Sequence, residues 1–323
     1  MTTHRYDGHV HLVGNGLSGS GCWLRLDGLW HRALGEVMRR TIGLEAKATA
    51  RDFDESFVGH LAGLVAASSL DKALLLAQDE VYDETGQKLE FGSFYVPNAY
   101  LFKVCDRHPE FVPAVSIHPG RKDALEELER CLAGGARALK LLPNCQNVNC
   151  ALPQYDEFWR RMAASGLPFL CHTGGEMTVP VINRAYQDPR ILRRPLELGV
   201  KVIAAHSSGN SHFFDQNYFG ELIKLMDEFP KMYADTSALN SPIRSGVLKQ
   251  VKESGRLGRF LHGSDYPVPV GAFWVRLRGL ITTAQWREAG KIPNLIERDA
   301  FLKRAMGFDD AHFTRLDEVL RKV

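Results

Sequence analysis

The sequence contains no dense run of basic residues, and its formal net charge is only +2. The basic pairs Arg39-Arg40, Arg160-Arg161 and Arg193-Arg194 are isolated from one another. Proteins that bind nucleic acids usually carry a clustered basic surface, because contacts with the phosphate backbone supply much of the binding energy. We therefore expect no nucleic-acid partner and expect a small-molecule substrate instead.

Long hydrophobic runs are also lacking. The most apolar stretch, residues 61–77, is interrupted by Ser68-Ser69 and Asp71-Lys72, and the first seven residues are largely polar. A membrane-spanning helix needs about 20 consecutive apolar residues, and a secretory signal needs an apolar segment near the N-terminus. We therefore expect a cytoplasmic protein with no membrane partner. The sequence leaves open whether the protein is a homo-oligomer.

Cysteine is scarce, with six residues in a chain of 323. They are Cys22, Cys105, Cys131, Cys145, Cys150 and Cys171. Cys145 and Cys150 lack the second cysteine pair that many structural zinc sites use. This pattern predicts reduced thiols and no disulfide framework.

One unit recurs along the chain, a short apolar stretch followed by an amphipathic helical pattern. Strands are predicted at residues 5–11, 72–77, 111–117, 136–142, 167–172, 200–205, 231–235 and 259–263. Helices are predicted between them at residues 53–67, 123–133, 155–165, 189–198, 216–229 and 242–253, and after them at 272–289, 293–306 and 309–321. This order predicts an α/β fold in which residues 1–323 form a single (β/α)₈ TIM-type barrel with extra C-terminal helices.

Two stretches, residues 12–32 and 79–97, do not fit the repeat and are predicted as long loops after the first and second strands. Long structureless loops within compact domains are often functional. Both would leave the carboxyl end of a strand, where barrel enzymes build their active sites. We therefore expect these loops to contact a substrate.

The first strand ends in the motif Asp7-Gly8-His9-Val10-His11. Residues two apart on a strand point to the same face, so His9 and His11 should lie side by side. Two imidazoles placed in this way can bind one metal ion at about 2.0–2.1 Å per nitrogen. The motif alone is a weak signal, because such a pair also arises by chance.

Other polar residues interrupt apolar runs at the same end of later strands. Lys140 ends the fourth strand, His172 the fifth and His206 the sixth, and Asp265 follows the eighth. Burial of such groups without partners costs roughly 1–3 kcal/mol each. In a closed barrel the ends of all these strands meet at one mouth. A divalent cation held by His9, His11, His172, His206 and Asp265 is the simplest arrangement that satisfies them together.

Together these motifs resemble the amidohydrolase superfamily, specifically its amidohydrolase-related (amidohydrolase 2) branch. The resemblance runs from Tyr6 to about Gly307. It rests on Asp7-Gly8-His9-Val10-His11, His172-Thr173-Gly174, Ala205-His206, Gly263-Ser264-Asp265-Tyr266-Pro267 and Asn294-Leu295-Ile296-Glu297-Arg298-Asp299.

The resemblance implies that His9, His11, His172 and Asp265 are metal ligands and that His206 holds or activates a water molecule. In binuclear members a carboxylated lysine on the fourth strand bridges two ions, and Lys140 occupies that position; a lysine that forms a salt bridge within the barrel is the alternative. His and carboxylate ligands suit Zn²⁺ and also admit manganese or iron. We expect zinc, and the sequence does not decide between one ion and two.

The expected function is a metal-dependent hydrolase that acts on an amide, cyclic imide or lactone. A metal-activated water would attack the substrate, with Asp265 as general base and then acid, and with His206 orienting the water or stabilising the oxyanion. Substrate contacts are expected from Trp23, Arg25, His118 and Arg244. The two arginines would favour a carboxylated substrate.

Two alternatives remain at this point. One is a metal-dependent non-oxidative decarboxylase, because the same branch resembles decarboxylases of aromatic and enol acids. The other is a non-catalytic barrel that serves as a binding or scaffold protein. Product analysis would separate the first alternative from the hydrolase, and metal analysis would test the second.

Overall fold

An eight-stranded parallel sheet, whose strands follow one another in chain order, forms the centre of the computed structural model. The structure describes residues 3–25 and 28–321, without the side chains of residues 30, 31 and 34. The strands are β1 (Tyr6–His11), β2 (Lys72–Leu76), β3 (Phe111–Val115), β4 (Ala138–Leu141), β5 (Phe169–Cys171), β6 (Val202–Ala204), β7 (Met232–Asp235) and β8 (Phe260–Leu261). The predicted barrel is confirmed. The predicted domain 1–323 and loop 12–32 also include residues 1–2, 26–27 and 322–323, which lie outside the described residues.

Backbone hydrogen bonds between β1 and the segment after β8 complete the ring. Gly8 N donates to His262 O (3.0 Å), Asp265 N to His9 O (2.9 Å) and His11 N to Tyr266 O (2.8 Å). A closed sheet leaves no unpaired edge strand. The closure also places the two β1 histidines beside Asp265, although most of the chain lies between them.

Helices connect the strands and continue after β8. In chain order they are α1 (Gly28–Thr41), α2 (Phe53–Ala66), α3 (Asn98–Arg107), α4 (Ala124–Ala133), α5 (Pro143–Gln146), α6 (Asp156–Ser165), α7 (Arg193–Glu197), α8 (Phe219–Glu228), α9 (Ser245–Glu253), α10 (Ala272–Leu277), α11 (Thr283–Gly290), α12 (Leu295–Ala305) and α13 (Asp310–Val319). The extra C-terminal helices are confirmed. In residues 3–25 and 28–321 no helix combines the length and apolar character needed to cross a bilayer.

Helix α13 closes the amino-terminal end of the barrel. Its residues Leu316 and Val319 share one apolar cluster with interior side chains of the strands, including Leu170. At the strand starts, Arg137 donates to Leu320 O (3.2 Å), and Lys201 donates to Val319 O (2.7 Å). The interior is therefore sealed at this end, and the opposite end is left for a site.

The predicted loops contain more structure than expected. The segment 12–32 includes the strand Trp23–Leu24, which pairs with Phe94–Tyr95 from the segment 79–97, and α1 begins at Gly28. A second short hairpin joins Val81–Tyr82 to Lys88–Leu89. The two segments therefore pair with each other instead of remaining separate structureless loops.

Two predicted helices are divided in the structure. The helix predicted at 272–289 is split into α10 and α11, because Gly279 adopts a left-handed backbone (φ 72°) and Thr282 starts α11 with a capping box. The helix predicted at 189–198 consists of a 3₁₀ turn (Pro189–Leu192) followed by α7. In both cases the local backbone geometry interrupts an amphipathic pattern that the sequence carries continuously.

Candidate metal centre

Three of the predicted ligands meet directly at the carboxyl end of the barrel. Asp265 Oδ1 lies 3.2 Å from His9 Nε2 and 3.3 Å from His11 Nε2. Two ligands at about 2.0–2.2 Å from one ion can be at most about 4.4 Å apart. Both pairs satisfy this limit. One potential ligand atom from each of His9, His206 and Asp265 also lies within 4.8 Å of the other two.

His172 joins this cluster through His206. The Nδ1 atom of His172 is 3.1 Å from His206 Nε2, and His206 Nδ1 is 3.1 Å from the Ser237 carbonyl oxygen. A carbonyl can only accept, so His206 donates from Nδ1 and, as a neutral ring, accepts from His172 at Nε2. His172 Nε2 therefore carries a lone pair, and this buried atom has no hydrogen-bond partner among the described residues. Such an atom fits a metal ligand.

In this arrangement His206 orients His172. One nitrogen of His206 also belongs to the group of possible ligand atoms with His9 and Asp265. The predicted roles of His206, as a ligand and in orienting water or stabilising an oxyanion, stay predictions.

The backbone is strained at two of these positions. His206 (φ 57°) and Asp265 (φ 70°) adopt left-handed conformations, which are costly for residues with a Cβ. Hydrogen bonds hold both in place: His206 N donates to Asp235 Oδ1 (2.8 Å), and Asp265 N donates to His9 O (2.9 Å). Strain of this kind persists where neighbouring interactions fix it, and it concentrates at functional sites.

The protonation states of these side chains suit a cation. Burial lowers the pKa of His9 and His206 below the ordinary value and that of His172 to about 3. Burial opposes ionisation of Asp265, but the neighbouring His9 and His11 outweigh it, so the pKa of this carboxyl lies below its ordinary value. Metal ions bind neutral imidazoles and ionised carboxylates, so the donor set fits a divalent cation.

Lys140 lies at the same centre, with Nζ 3.1 Å from His9 Nε2. Burial lowers the pKa of its amine. In residues 3–25 and 28–321 no carboxylate oxygen lies within 4.0 Å of Nζ, so the alternative of a salt-bridging lysine is not observed. Carboxylation requires an uncharged amine, which this environment favours.

Asp235, at the end of β7, was not among the predicted site residues. Its Oδ2 accepts from His9 Nδ1 (2.8 Å), and its Oδ1 accepts from the His206 backbone (2.8 Å). The first bond leaves the lone pair of His9 on Nε2, the atom that faces Asp265. Like the predicted ligands, Asp235 is a polar residue that ends an apolar strand, so the same criterion could have identified it.

We expect Asp235→Asn to weaken divalent-cation binding by about 10–100-fold, because partners that orient a metal-binding histidine contribute on that scale. Asp235 accepts from the His9 ring, from the backbone N–H groups of His206 and Ser237 and from the Ser237 hydroxyl, whereas an asparagine has one acceptor oxygen. Competition with a chromophoric zinc chelator measures the dissociation constant. The exposed Asp106 on α3 provides a control, since Asp106→Asn should leave the constant unchanged. Equal affinities for both variants would contradict the role of Asp235.

A cavity of about 180 Å³ opens onto this centre. Its floor includes His11, His172, His206, Asp265 and Glu176. Its walls are mainly apolar and come from both predicted loops, α1 and α2; they include Val13, Leu24, Met38, Ile42, Leu44, Phe53, Phe57, Phe94 and Val179. The cavity therefore provides an apolar environment directly above the candidate ligands.

Of the predicted substrate contacts, Arg25 lines the cavity and Trp23 does not. The Arg25 guanidinium is paired with Glu90 (2.6 Å) and lies over the Trp23 ring, 4.4 Å from its centroid. The Trp23 indole N–H donates to Glu80 Oε1 (3.0 Å). Both side chains therefore already have partners within the chain.

The other two predicted contacts lie outside the cavity lining. His118 is buried, with Nε2 2.8 Å from Gln146 O and Nδ1 accepting from Gly120 N (3.0 Å). Arg244 is also buried, and its guanidinium donates to the Gly175 carbonyl. Arg25 and Arg244 thus do not form the free cationic pair that was expected to favour a carboxylated substrate.

Solved structures show the same fold. An uncharacterized TIM-barrel protein from Bordetella bronchiseptica is 17% identical with a TM-score of 0.56 over 92% of this chain and 99% of the other. A candidate 2-pyrone-4,6-dicarboxylic acid hydrolase from Pseudomonas putida is 16% identical with a TM-score of 0.54 (96% and 99%). A 5-carboxyvanillate decarboxylase from Sphingomonas paucimobilis is 14% identical with a TM-score of 0.53 (97% and 99%). At these identities the likeness establishes the fold alone.

No curated protein sequence matches the chain significantly. The family model described as Amidohydrolase, in contrast, matches residues 6–289, a range that contains every residue of the candidate centre. The chain therefore belongs to this amidohydrolase family.

Proposed function

We propose that this protein is a metal-dependent hydrolase that cleaves an amide, cyclic imide or lactone-type bond of a small substrate. The observation that carries the proposal is the contact of one Asp265 oxygen with the Nε2 atoms of His9 and His11 at the floor of an apolar cavity. Membership of the amidohydrolase family supports an enzyme, and the family match does not distinguish hydrolysis from decarboxylation.

The ligands that would hold the cation are His9, His11, His172 and Asp265, and we propose Zn²⁺ as the ion. When bound, a divalent cation polarises a carbonyl group and lowers the pKa of water towards about 7. The lowered pKa of Lys140 and its contact with His9 support a carboxylated lysine that holds a second ion. Asp235 fixes His9, and His206 fixes His172, so the chain orients two of the ligands before the ion arrives.

Asp265 is the proposed general base. Its carboxyl is ionised at neutral pH, because its pKa lies below the ordinary value, and it can therefore accept a proton from water. Its Oδ1 faces the β1 histidines, whereas Oδ2 is 4.0 Å from His206 Nδ1. The same carboxyl would then return the proton to the leaving group. The apolar walls limit the access of bulk water to these steps.

The cavity favours hydrolysis over decarboxylation. A decarboxylase substrate carries a carboxylate, and apart from the proposed metal ion it would need a cationic side chain or several hydrogen-bond donors to bind it. Two cationic side chains line the cavity along the described residues, and both already have carboxylate partners: Arg25 pairs with Glu90, and Arg39 with Glu36. Glu176 adds a further negative charge to the floor. These features support a substrate that is uncharged and largely apolar.

Product analysis in ¹⁸O-labelled water tests the proposal. Hydrolysis places one labelled oxygen in a new carboxylate and releases no CO₂, whereas decarboxylation releases CO₂. Elemental analysis of the purified protein accompanies the assay: about one ion per chain supports a mononuclear centre, and about two support a bridging Lys140. Release of CO₂, or a protein without stoichiometric metal, would contradict the proposal.

A further inference from the structure

Glu176 is a buried carboxylate on the cavity floor that the proposed mechanism does not use. Its side chain is only 8% exposed and lies on the loop after β5. Its Oε1 is fully engaged, because it accepts from Met177 N (2.9 Å), Val179 N (3.1 Å) and both the backbone and the hydroxyl of Thr178. The loop therefore fixes the carboxyl group in one orientation.

Among the described residues no hydrogen-bond donor contacts the second oxygen, Oε2. Its contact is with the neutral ring of His172, whose Nε2 is 3.5 Å away. Because His172 donates from Nδ1 to His206, its Nε2 carries a lone pair, and two acceptors therefore face each other. Arg244 interacts with the Glu176 charge at longer range, but it donates to Gly175 O and has no carboxylate oxygen within 4.0 Å. An unpaired carboxylate oxygen that faces the cavity requires a partner from outside the chain.

Glu176 lies at the edge of the proposed ligand set. Among the described residues its carboxylate is within 4.0 Å of a nitrogen of His172, and no nitrogen of His9, His11 or His206 lies that close to it. Glu176 does line the cavity, on the same floor as His172 and Asp265. A donor that reaches Oε2 therefore belongs to a molecule in the cavity, adjacent to the position where the reacting carbonyl would bind.

We infer that Glu176 is a specificity residue whose Oε2 accepts a hydrogen bond from an N–H group of the substrate, so that the cavity selects amides over esters and lactones with the same apolar group. This inference rests on the proposed hydrolase function and narrows its substrate class. An ester or lactone has no N–H to offer. Desolvation of an unsatisfied carboxylate oxygen would then weaken the binding of both.

Glu176→Gln should largely remove this preference. The glutamine carbonyl can take over the loop hydrogen bonds of Oε1, which all come from donors. Its amide group then replaces Oε2 and presents N–H donors to the cavity instead of an acceptor. The variant keeps the size of the side chain and its hydrogen bonds to the loop. It changes only the group that faces the substrate, from an acceptor oxygen to an N–H donor.

Ligand-observed NMR with benzamide, methyl benzoate and benzoate tests the inference, since the three probes share one apolar ring. The wild-type protein, with its metal content measured, should bind benzamide at least about tenfold more tightly than methyl benzoate. Benzoate, which the proposed metal ion would attract, probes the metal separately. In Glu176→Gln the preference for benzamide over methyl benzoate should fall to about twofold or less. Glu253→Gln, on the exposed surface of α9, should behave as the wild type.

Equal binding of benzamide and methyl benzoate by the wild-type protein would overturn the inference, and this result does not depend on whether the variant folds. A variant that keeps the wild-type preference would also overturn it. If Glu176→Gln loses its metal and binds all probes less tightly by the same factor, Glu176 acts as a metal ligand, and the inference would also be overturned. A wild-type protein that prefers benzamide but hydrolyses no amide would leave this inference standing and contradict the hydrolase proposal.

Discussion

Asp265→Asn should lower kcat by about 10³-fold on any substrate that the wild-type protein hydrolyses, because the variant removes the proposed general base. It also replaces an anionic ligand by a neutral one at the atom that contacts His9 and His11. An amide oxygen can still coordinate weakly, so the metal content should fall without disappearing when metal is supplied in excess. Steady-state kinetics with excess Zn²⁺ separates the loss of base from the loss of metal.

An asparagine side chain has nearly the shape of the aspartate that it replaces. The hydrogen bond from the backbone N–H of residue 265 to His9 O does not involve the side chain and should remain. Because the lowered pKa of Asp265 shows that its ionised form stabilises the fold, the metal-free variant should be less stable than the metal-free wild type, and thermal unfolding measures this loss separately. The exposed Asp106→Asn serves again as the control. Retention of more than about a tenth of the wild-type kcat at full metal occupancy would exclude Asp265 as the general base.

Lys303→Met should destabilise the protein by about 3–5 kcal/mol, because it removes one partner of a fully buried ion pair. Lys303 on α12 donates to Asp299 and to the carbonyl oxygen of Gly263 (2.6 Å), two residues before Asp265. Asp299 also accepts from Asn240 in the segment after β7. The variant leaves the Asp299 carboxylate buried without its cation and releases the segment that carries Asp265.

The loss should depend on pH. Burial raises the pKa of Asp299, and the Lys303 ammonium opposes that rise, so removing Lys303 should raise this pKa further. A carboxyl whose folded-state pKa lies above its unfolded-state value destabilises the fold increasingly as pH rises. Lys303→Met should therefore be closer to the wild type at pH 5 than at pH 8.

Chemical denaturation at the two pH values measures this difference. Lys249→Met, on the exposed face of α9, provides the matched control and should stay within about 0.5 kcal/mol of the wild type. The double variant Lys303→Met/Asp299→Leu should recover part of the loss, since it removes the unpaired charge. A single variant as stable as the control at pH 8 would contradict the role of the pair.

The sequence predicted the barrel well because each strand is a short apolar run that a closed sheet must bury. The ends differ by at most two residues; for example, the strand predicted at 167–172 is observed as Phe169–Cys171. Helix α3 (Asn98–Arg107), which follows the second predicted loop, was not predicted. Neither was α1, which starts at Gly28 directly after a glycine-rich segment. There the turn signals at the start of the segment obscured a helix that follows them.

The sequence predicts those residues of the candidate site whose side-chain direction follows from their position on a strand. His9, His11 and Asp265 meet because the neighbouring strands β1 and β8 end at the same level, and His172 lies beside them through its contact with His206. The same criterion included His118, yet the structure turns its ring towards the Gln146 carbonyl, which sequence spacing does not specify. Glu176 was missed because it follows Gly174-Gly175 in a loop whose path depends on tertiary contacts.

The closure of the ring between β1 and the segment after β8 has a consequence for synthesis. The ribosome makes His9 and His11 at the start and Asp265 only after β8. A nascent chain that has emerged as far as β7 contains the histidine ligands and Asp235. It still lacks Asp265, whose carboxylate contacts both His9 and His11. Tight binding of the metal ion should therefore begin only after β8 and Asp265 have emerged from the ribosome. Metal binding would then indicate that the barrel is complete.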